Sequence, residues 1–356
     1  MIDREISAGV ATPLRPPRPS SFEAVRAHVR RRRTLIYAGL AVLLAVVAVV
    51  GMSTGDYPLA PDQLWRTLWG GGERVEQYVL FQVRLPRVLM GIVVGGCLGI
   101  AGALLQSLLR NPLASPDLLG ISGGASVAAV FVLLIVGTTG PVLAAAAFGG
   151  GLVVAALLLV AGHRQGETGF RVILAGIGAS FLCVAVTNYL LVRAQVELAQ
   201  SALLWMTGSL SATAWWQVGV VAAVALVALP GVVLSARWLP ITQLGAQTAS
   251  GLGVRLSTVR LLAVISAVLL TAVTCAFAGP IAFVALCAPA IARSLLGHGA
   301  LGIAASALTG AVLLVSADLV AQFALPGLSL PVGVVTGALG AVFLLWLLAS
   351  TKGRQL

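Results

Sequence analysis

Residues Arg84 to Ser126 read RLPRVLMGIVVGGCLGIAGALLQSLLRNPLASPDLLGISGGAS. The first half is an apolar run with a small residue at nearly every helical turn: Gly91, Gly95, Gly96, Gly99, Ala101 and Gly102. Such spacing leaves one helix face almost without side chains. In lipid, burying oil against oil gives little, so bare faces of this kind let helix backbones approach and pack by van der Waals contact. Arg84 and Arg87 stand at one end, and Arg110-Asn111-Pro112 at the other. Pro112 and Pro116 forbid regular helix until Asp117, where the chain turns apolar again. The stretch predicts a centrally packed membrane helix followed by a broken turn.

Composition agrees. The chain is 59% hydrophobic and only 9% charged, with a mean hydropathy of +1.03, whereas soluble domains carry roughly 25% charged residues. Apolar spans of about 20 residues recur along nearly the whole length. The predicted fold class is all-α: a polytopic membrane protein of about ten transmembrane helices. Short alternating strands, which a β-barrel requires, are absent from the pattern. The net charge of +11 does not indicate nucleic-acid binding. Arg30 to Arg33 directly precede the first apolar span, where the positive-inside rule expects a cytoplasmic flank, and no aromatic-interleaved basic face accompanies them. Cys97, Cys183, Cys275 and Cys287 each fall in an apolar span without a C-x-x-C pair, and read as packing residues.

Residues 1–33 are polar, with Pro13, Pro16, Pro17 and Pro19 among arginines, and predict a disordered basic cytoplasmic tail. Leu35–Met52 is too long for the core of a secretory signal and reads as the first span. Residues 34–356 then form one membrane domain, with both termini in the cytoplasm. Tyr57 to Val83 are placed outside, with Trp65 and Trp69 one turn apart on an interfacial helix. The longest polar stretch inside the domain, about residues 237–258, carries arginines and no acid. Within it Leu244, Ala249 and Leu252 are expected on one face of a short helix that Gly253 stops.

Chemistry is scarce. A nucleotide-binding P-loop needs a lysine in a Gly-rich loop, and the only lysine is Lys352, close to the C-terminus. If ATP drives this protein, another chain hydrolyses it. The rival, ion-coupled transport, relies on intramembrane acids or broken-helix ion sites. Asp318 is the carboxylate placed inside a span, either relaying protons or hydrogen-bonding neighbouring helices. His28, His163 and His298 show no metal-ligand spacing. No catalytic residues and no metal site are expected.

The central string, with its RLPR, GALLQ and RNPLA-x-P-x-LLG, resembles the permeases of type II ATP-binding-cassette importers, the FecCD family, which carries ferric siderophores, haem and vitamin B12. FRVILAGIG, WMTGSL, LGAQTASGLGV, GPIAFVALCAPAIARSLLGH and LPVGVVTGALGAVFLLWLL resemble further family segments. The resemblance runs from the first span to the C-terminus. It implies a BtuC-like permease fold in the cytoplasmic membrane of a bacterium. The chain itself would hold no cofactor, ATP and Mg being bound by the partner ATPase. The implied partners are a second permease subunit, two ATP-binding-cassette ATPase subunits and an extracytoplasmic substrate-binding protein. Carried over by position, Arg84 and Arg87 match outer-mouth arginines that dock the binding protein. Leu244, Gly245, Ala249, Leu252 and Gly253 match the segment coupled to the ATPase, and Thr168 and Gly169 fall near the inner gate. The cargo so implied is an iron(III)-siderophore, with haem and cobalamin as alternatives.

Departures from the family pattern are specific. Ala246-Gln247 stand where an acid is common, Ala288-Pro289-Ala290 replace V-P-H, Gly299-Ala300-Leu301-Gly302 replace a basic stretch, and Gln322 replaces an arginine. These changes favour a heterodimer, in which a paralogous permease supplies the missing contacts, over a homodimer.

Overall fold

The computed structural model describes residues 19–163, 168–297, 301–325 and 329–351. Helices α1 (Pro19–Ser53) and α2 (Pro61–Leu68) come first. Helix α3 (Arg74–Tyr78) runs through a π-turn at Val79–Arg84 into α4 (Leu85–Leu109). Next are α5 (Ile121–Phe131), α6 (Pro141–His163), α7 (Thr168–Arg193) and α8 (Val196–Met206). After these follow α9 (Trp215–Gln243), α10 (Ala246–Gly251) and α11 (Leu256–Ala278). The last are α12 (Val284–Leu296), α13 (Ile303–Phe323) and α14 (Val332–Thr351). Seven helices are long and apolar enough to cross a membrane, and Ile121–Val136, Val284–Leu296 and Val332–Trp346 are shorter apolar helices. Among the described residues these make ten apolar helices, the number expected from the sequence.

Two boundaries differ from the sequence reading. The tail expected over 1–33 is helical from Pro19, because α1 continues through the arginines without a break. Arginine and alanine are good helix formers and proline suits a first helical turn, so nothing there stops the helix; residues 1–18 lie outside the described ones. The second difference is at Arg84, which is not where the central helix starts. The helix runs unbroken over Arg74–Leu109. Pro86 cannot donate to Gln82 and its ring crowds that turn, so the ladder slips and Leu85 N–H bonds Leu80 O instead.

Helix α4 is the hub, packed against α9, α11, α12 and α13. Its span is 72% buried, against 11% for that of α1, which marks one as the centre and the other as the periphery. The small-residue face is the reason. A methyl group on Gly95 would overlap the backbone of Gly310 and Ala311, one on Gly99 the backbone of Ser306, and one on Gly102 that of Ala285. At the edge of the same face, Gly96 has its nearest neighbour, Ala307 O, 3.8 Å from a built Cβ. Gly310 meets Gly95 reciprocally, so α4 and α13 touch backbone to backbone. Pro289, inside α12, leaves the Ala285 carbonyl without its usual helical donor. The Gly102 backbone covers that same carbonyl, a close approach suited to a Cα–H···O contact.

Candidate functional site

Charged and polar side chains along α4 define the candidate site. At its N-terminal end Arg84 is buried, and its guanidinium donates to three carbonyls, two in the last turn of α1 and one in the α1–α2 connection. Nη1 reaches Met52 O at 2.8 Å and Ser53 O at 3.3 Å, and Nη2 reaches Tyr57 O at 2.6 Å. One turn on, Arg87 forms a fork with Asp318 of α13: Nε to Oδ2 at 2.8 Å and Nη2 to Oδ1 at 2.9 Å. Gln322 Nε2 donates to Asp318 Oδ2 at 2.8 Å. Free cations at an outer rim, expected of Arg84 and Arg87, are therefore not what the geometry provides. Both guanidinium groups are turned inward, because a charge near apolar helices finds lower energy on carbonyls or a carboxylate than unpaired. Asp318 sits in the hydrogen-bonding role, and Gln322, standing where the family pattern has an arginine, completes its shell.

Toward the other end of α4 a second polar link crosses to α12. Arg293 Nη2 donates to Gln106 Oε1, and Gln106 Nε2 donates to Leu286 O at 3.1 Å. Arg110, in the left-handed conformation at φ 49°, ends α4 and donates through Nη2 to Thr242 O of α9 at 2.8 Å. Past the broken turn, Ser122 Oγ donates to Asp117 Oδ1 at 2.5 Å, and Cys275 Sγ lies 3.6 Å from Ser122 Oγ. Burial pushes the Asp117 carboxyl up from its ordinary range, and the Ser122 hydrogen bond opposes that in part. Sequence reading passed over Gln106, Arg293 and Asp117. The available signals were a polar residue in or beside an apolar run and a place inside the motifs GALLQ, RNPLA-x-P-x-LLG and GPIAFVALCAPAIARSLLGH.

The segment 237–258 folds as expected in outline but not in facing. Gly245, at φ 107°, opens the short helix α10, and Gly253, at φ 78°, closes it while Val254 N–H bonds Ala249 O. Left-handed φ is where glycine avoids the Cβ cost. Ala249 is fully buried, whereas Leu244 and Leu252 are 66% and 62% exposed. The three do not share a face, since both leucines lie beyond the helix ends rather than on it. Thr168 and Gly169 open α7; their side chains lie outside the described ones. Helix α7 packs on α5 and α6 and leaves Phe181, Leu182, Tyr189 and Val192 exposed, with Asn188 among them. Among the described residues no cluster of three metal-ligating side chains gathers at one point.

A family model for the FecCD transport family matches residues 43–350. The chain belongs to the FecCD family. It is a multi-pass membrane permease of that family, of the type II ATP-binding-cassette importer kind. Such permeases are not themselves enzymes. Among relatives, the ferric enterobactin transport system permease protein FepG of Escherichia coli (strain K12) is 40% identical over 325 residues, covering 91% of this chain and 98% of that one. The achromobactin transport system permease protein CbrC of Dickeya dadantii (strain 3937) is 38% identical over 317 residues, covering 88% and 91%. A solved metal-chelate type ABC transporter in an inward-facing conformation superposes with a TM-score of 0.76 at 26% identity, covering 89% of this chain and 99% of that one. The glycine seam that makes α4 the hub of this FecCD permease lies wholly inside the matched region.

Proposed function

We propose that this chain is the transmembrane subunit of an ATP-driven importer that moves an intact iron(III)-siderophore across the bacterial cytoplasmic membrane. The observation that carries the reading is end-to-end similarity at 40% and 38% identity to permeases named for ferric enterobactin and achromobactin. Haem and cobalamin are not favoured: the vitamin B12 permease BtuC of Klebsiella pneumoniae matches at a lower 34%. The bonding of Asp318 supports the same reading against an ion-coupled carrier, because its carboxylate oxygens are engaged by the Arg87 fork and by Gln322 between packed helices.

The work comes from partners. Of two separate ATPase subunits one docks at α10 of this chain, where the exposed Leu244 and Leu252 flank the buried Ala249, and Gly245 and Gly253 shape the turn. A short exposed segment of this kind fits a groove on a partner. Thr168 and Gly169, opening α7, contribute to the inner gate. Both termini face the cytoplasm, as the arginines at the foot of α1 suggest. A second permease, a paralogue rather than a copy, covers the bare face of α7. An exposed Asn188 amide facing lipid would be costly, so that face meets the partner or a watery path between the two. A binding protein delivers cargo on the side of α2. Its acidic contacts fall on Arg66, which stays 61% exposed although it stands 3.9 Å from Glu76, rather than on the inward-turned Arg84 and Arg87.

The test is reconstitution with the cognate ATPase and binding protein, offered labelled ferric catecholate and carboxylate siderophores and cobalamin. ATP-dependent uptake of a ferric siderophore is expected. Concentration of any solute by the permease alone would overturn the proposal. Purification of an active complex containing only this permease would overturn the heterodimer.

A further inference from the structure

The foot of α1 carries a feature that transport does not use. Arg26, Arg30, Arg33 and Tyr37 recur at helical spacing and form one stripe. Two adjoining cavities open beside it and share Arg33 and Tyr37. One, of about 440 Å³, is lined by Arg26, Val29, Arg30 and Thr34 as well. The other, of about 320 Å³, continues between α9, α12 and α13, past Pro240, Leu296, Leu301 and Ile303. Among the described residues the guanidinium groups of Arg26, Arg30 and Arg33 make no hydrogen bond or ion pair, whereas their neighbour Arg32 donates to Leu295 O at 3.1 Å. Glu23, one turn away from Arg26, is exposed and likewise forms no ion pair among them.

The level of this groove in the bilayer follows from what meets there. The apolar part of α1 starts, α9 and α12 end, and α13 begins around the same cavity. Helix ends gathered at one height mark the membrane–water boundary. Three unpaired cations at that boundary, with an apolar slot running on from them, fit an amphiphile with an anionic head. A soluble phosphate would leave the apolar slot unfilled. Basic pockets between transmembrane helices are suited to anionic lipid headgroups.

We propose that this groove is a binding site for an anionic phospholipid of the surrounding bilayer. The phosphate lies among Arg26, Arg30 and Arg33, and an acyl chain enters the slot beside Leu296 and Ile303. The lipid would tie α1 to the α12–α13 turn, a contact between the periphery and the elements packed on α4.

The full-length permease, assembled with its partners in nanodiscs of equal phosphatidylglycerol and phosphatidylcholine, tests this by native mass spectrometry of the lipid retained after extraction. Selective retention of phosphatidylglycerol is expected. Each arginine contributes about five-fold, so Arg26→Gln/Arg30→Gln/Arg33→Gln should reduce retention on the order of a hundred-fold. Ala304→Trp fills the slot at an exposed position on its wall and leaves the arginines in place; it should release the lipid too. Equal retention of both lipids, retention unchanged in either variant, or displacement by inorganic phosphate would overturn the proposal.

Discussion

Arg87 and Asp318 lie 231 positions apart in the chain and meet as a two-pronged ion pair, at 2.8 and 2.9 Å, across the seam between α4 and α13. The side chains are 18% and 7% exposed, so neither charge has much water to fall back on. Removing one partner strands the other, at a cost of about 3–5 kcal/mol for a buried pair. Arg87→Met or Asp318→Leu should therefore lower the thermal unfolding midpoint strongly, and the double variant should recover much of the loss. A double variant no more stable than the singles would show the pair is not the cause.

Asp318→Asn separates transport from stability. It keeps an acceptor for Arg87 but cannot carry a proton. With ATPase and binding protein present, uptake by this variant should persist and stay insensitive to collapse of the proton gradient. Loss of uptake with an intact unfolding midpoint would favour a proton-relay role instead.

The glycine seam predicts a sharp positional contrast. Gly99→Leu drives a side chain into the backbone of Ser306, and Gly102→Leu into that of Ala285. Overpacking costs typically about 1–3 kcal/mol where neighbours can shift, and backbone cannot shift cheaply, so both should fall at or above that range. Gly96→Ala, with its nearest contact at 3.8 Å, should be neutral or slightly stabilising. Yield and unfolding midpoint in detergent would report all three.

Arg84 holds the end of α1 and the α1–α2 connection together by their carbonyls. Arg84→Lys offers a single ammonium that cannot span Met52 and Tyr57 together. Faster hydrogen exchange over residues 52–60 is expected, with the centre of α4 unchanged. Uniform exchange across both regions would count against a local role.

Asp117 makes the pH prediction. Its carboxyl is raised by burial, so the folded state holds the proton more tightly than the unfolded chain does. Stability from this group is present below the ordinary carboxylate range and lost as pH rises above it. Asp117→Asn, which still accepts from Ser122, should be more stable than the parent at neutral and alkaline pH, with the advantage shrinking on acidification. Thermal midpoints across a pH series measure it.

Much of the architecture is legible in local pattern. Hydropathy marks each span, because crossing the bilayer depends on about 20 consecutive residues and on little else. The glycine face of Gly95, Gly99 and Gly102 announces a central helix for the same reason. The coupling helix is also readable, Gly245 and Gly253 bounding it at left-handed positions. What local pattern misjudged was facing: Ala249 is buried while Leu244 and Leu252 are not. A six-residue helix is too short for periodicity to say which way it turns.

The sequence by itself determined an all-helical membrane protein of the FecCD family, since apolar length, small-residue spacing and motif order are properties of neighbouring residues. Only the tertiary structure decided what its charges do. Arg84 and Arg87 read as rim cations until carbonyls at the end of α1 and just beyond it and a carboxylate 231 residues away are seen to surround them. A buried charge takes its role from the partner that compensates it, and that partner is brought close by packing rather than by sequence.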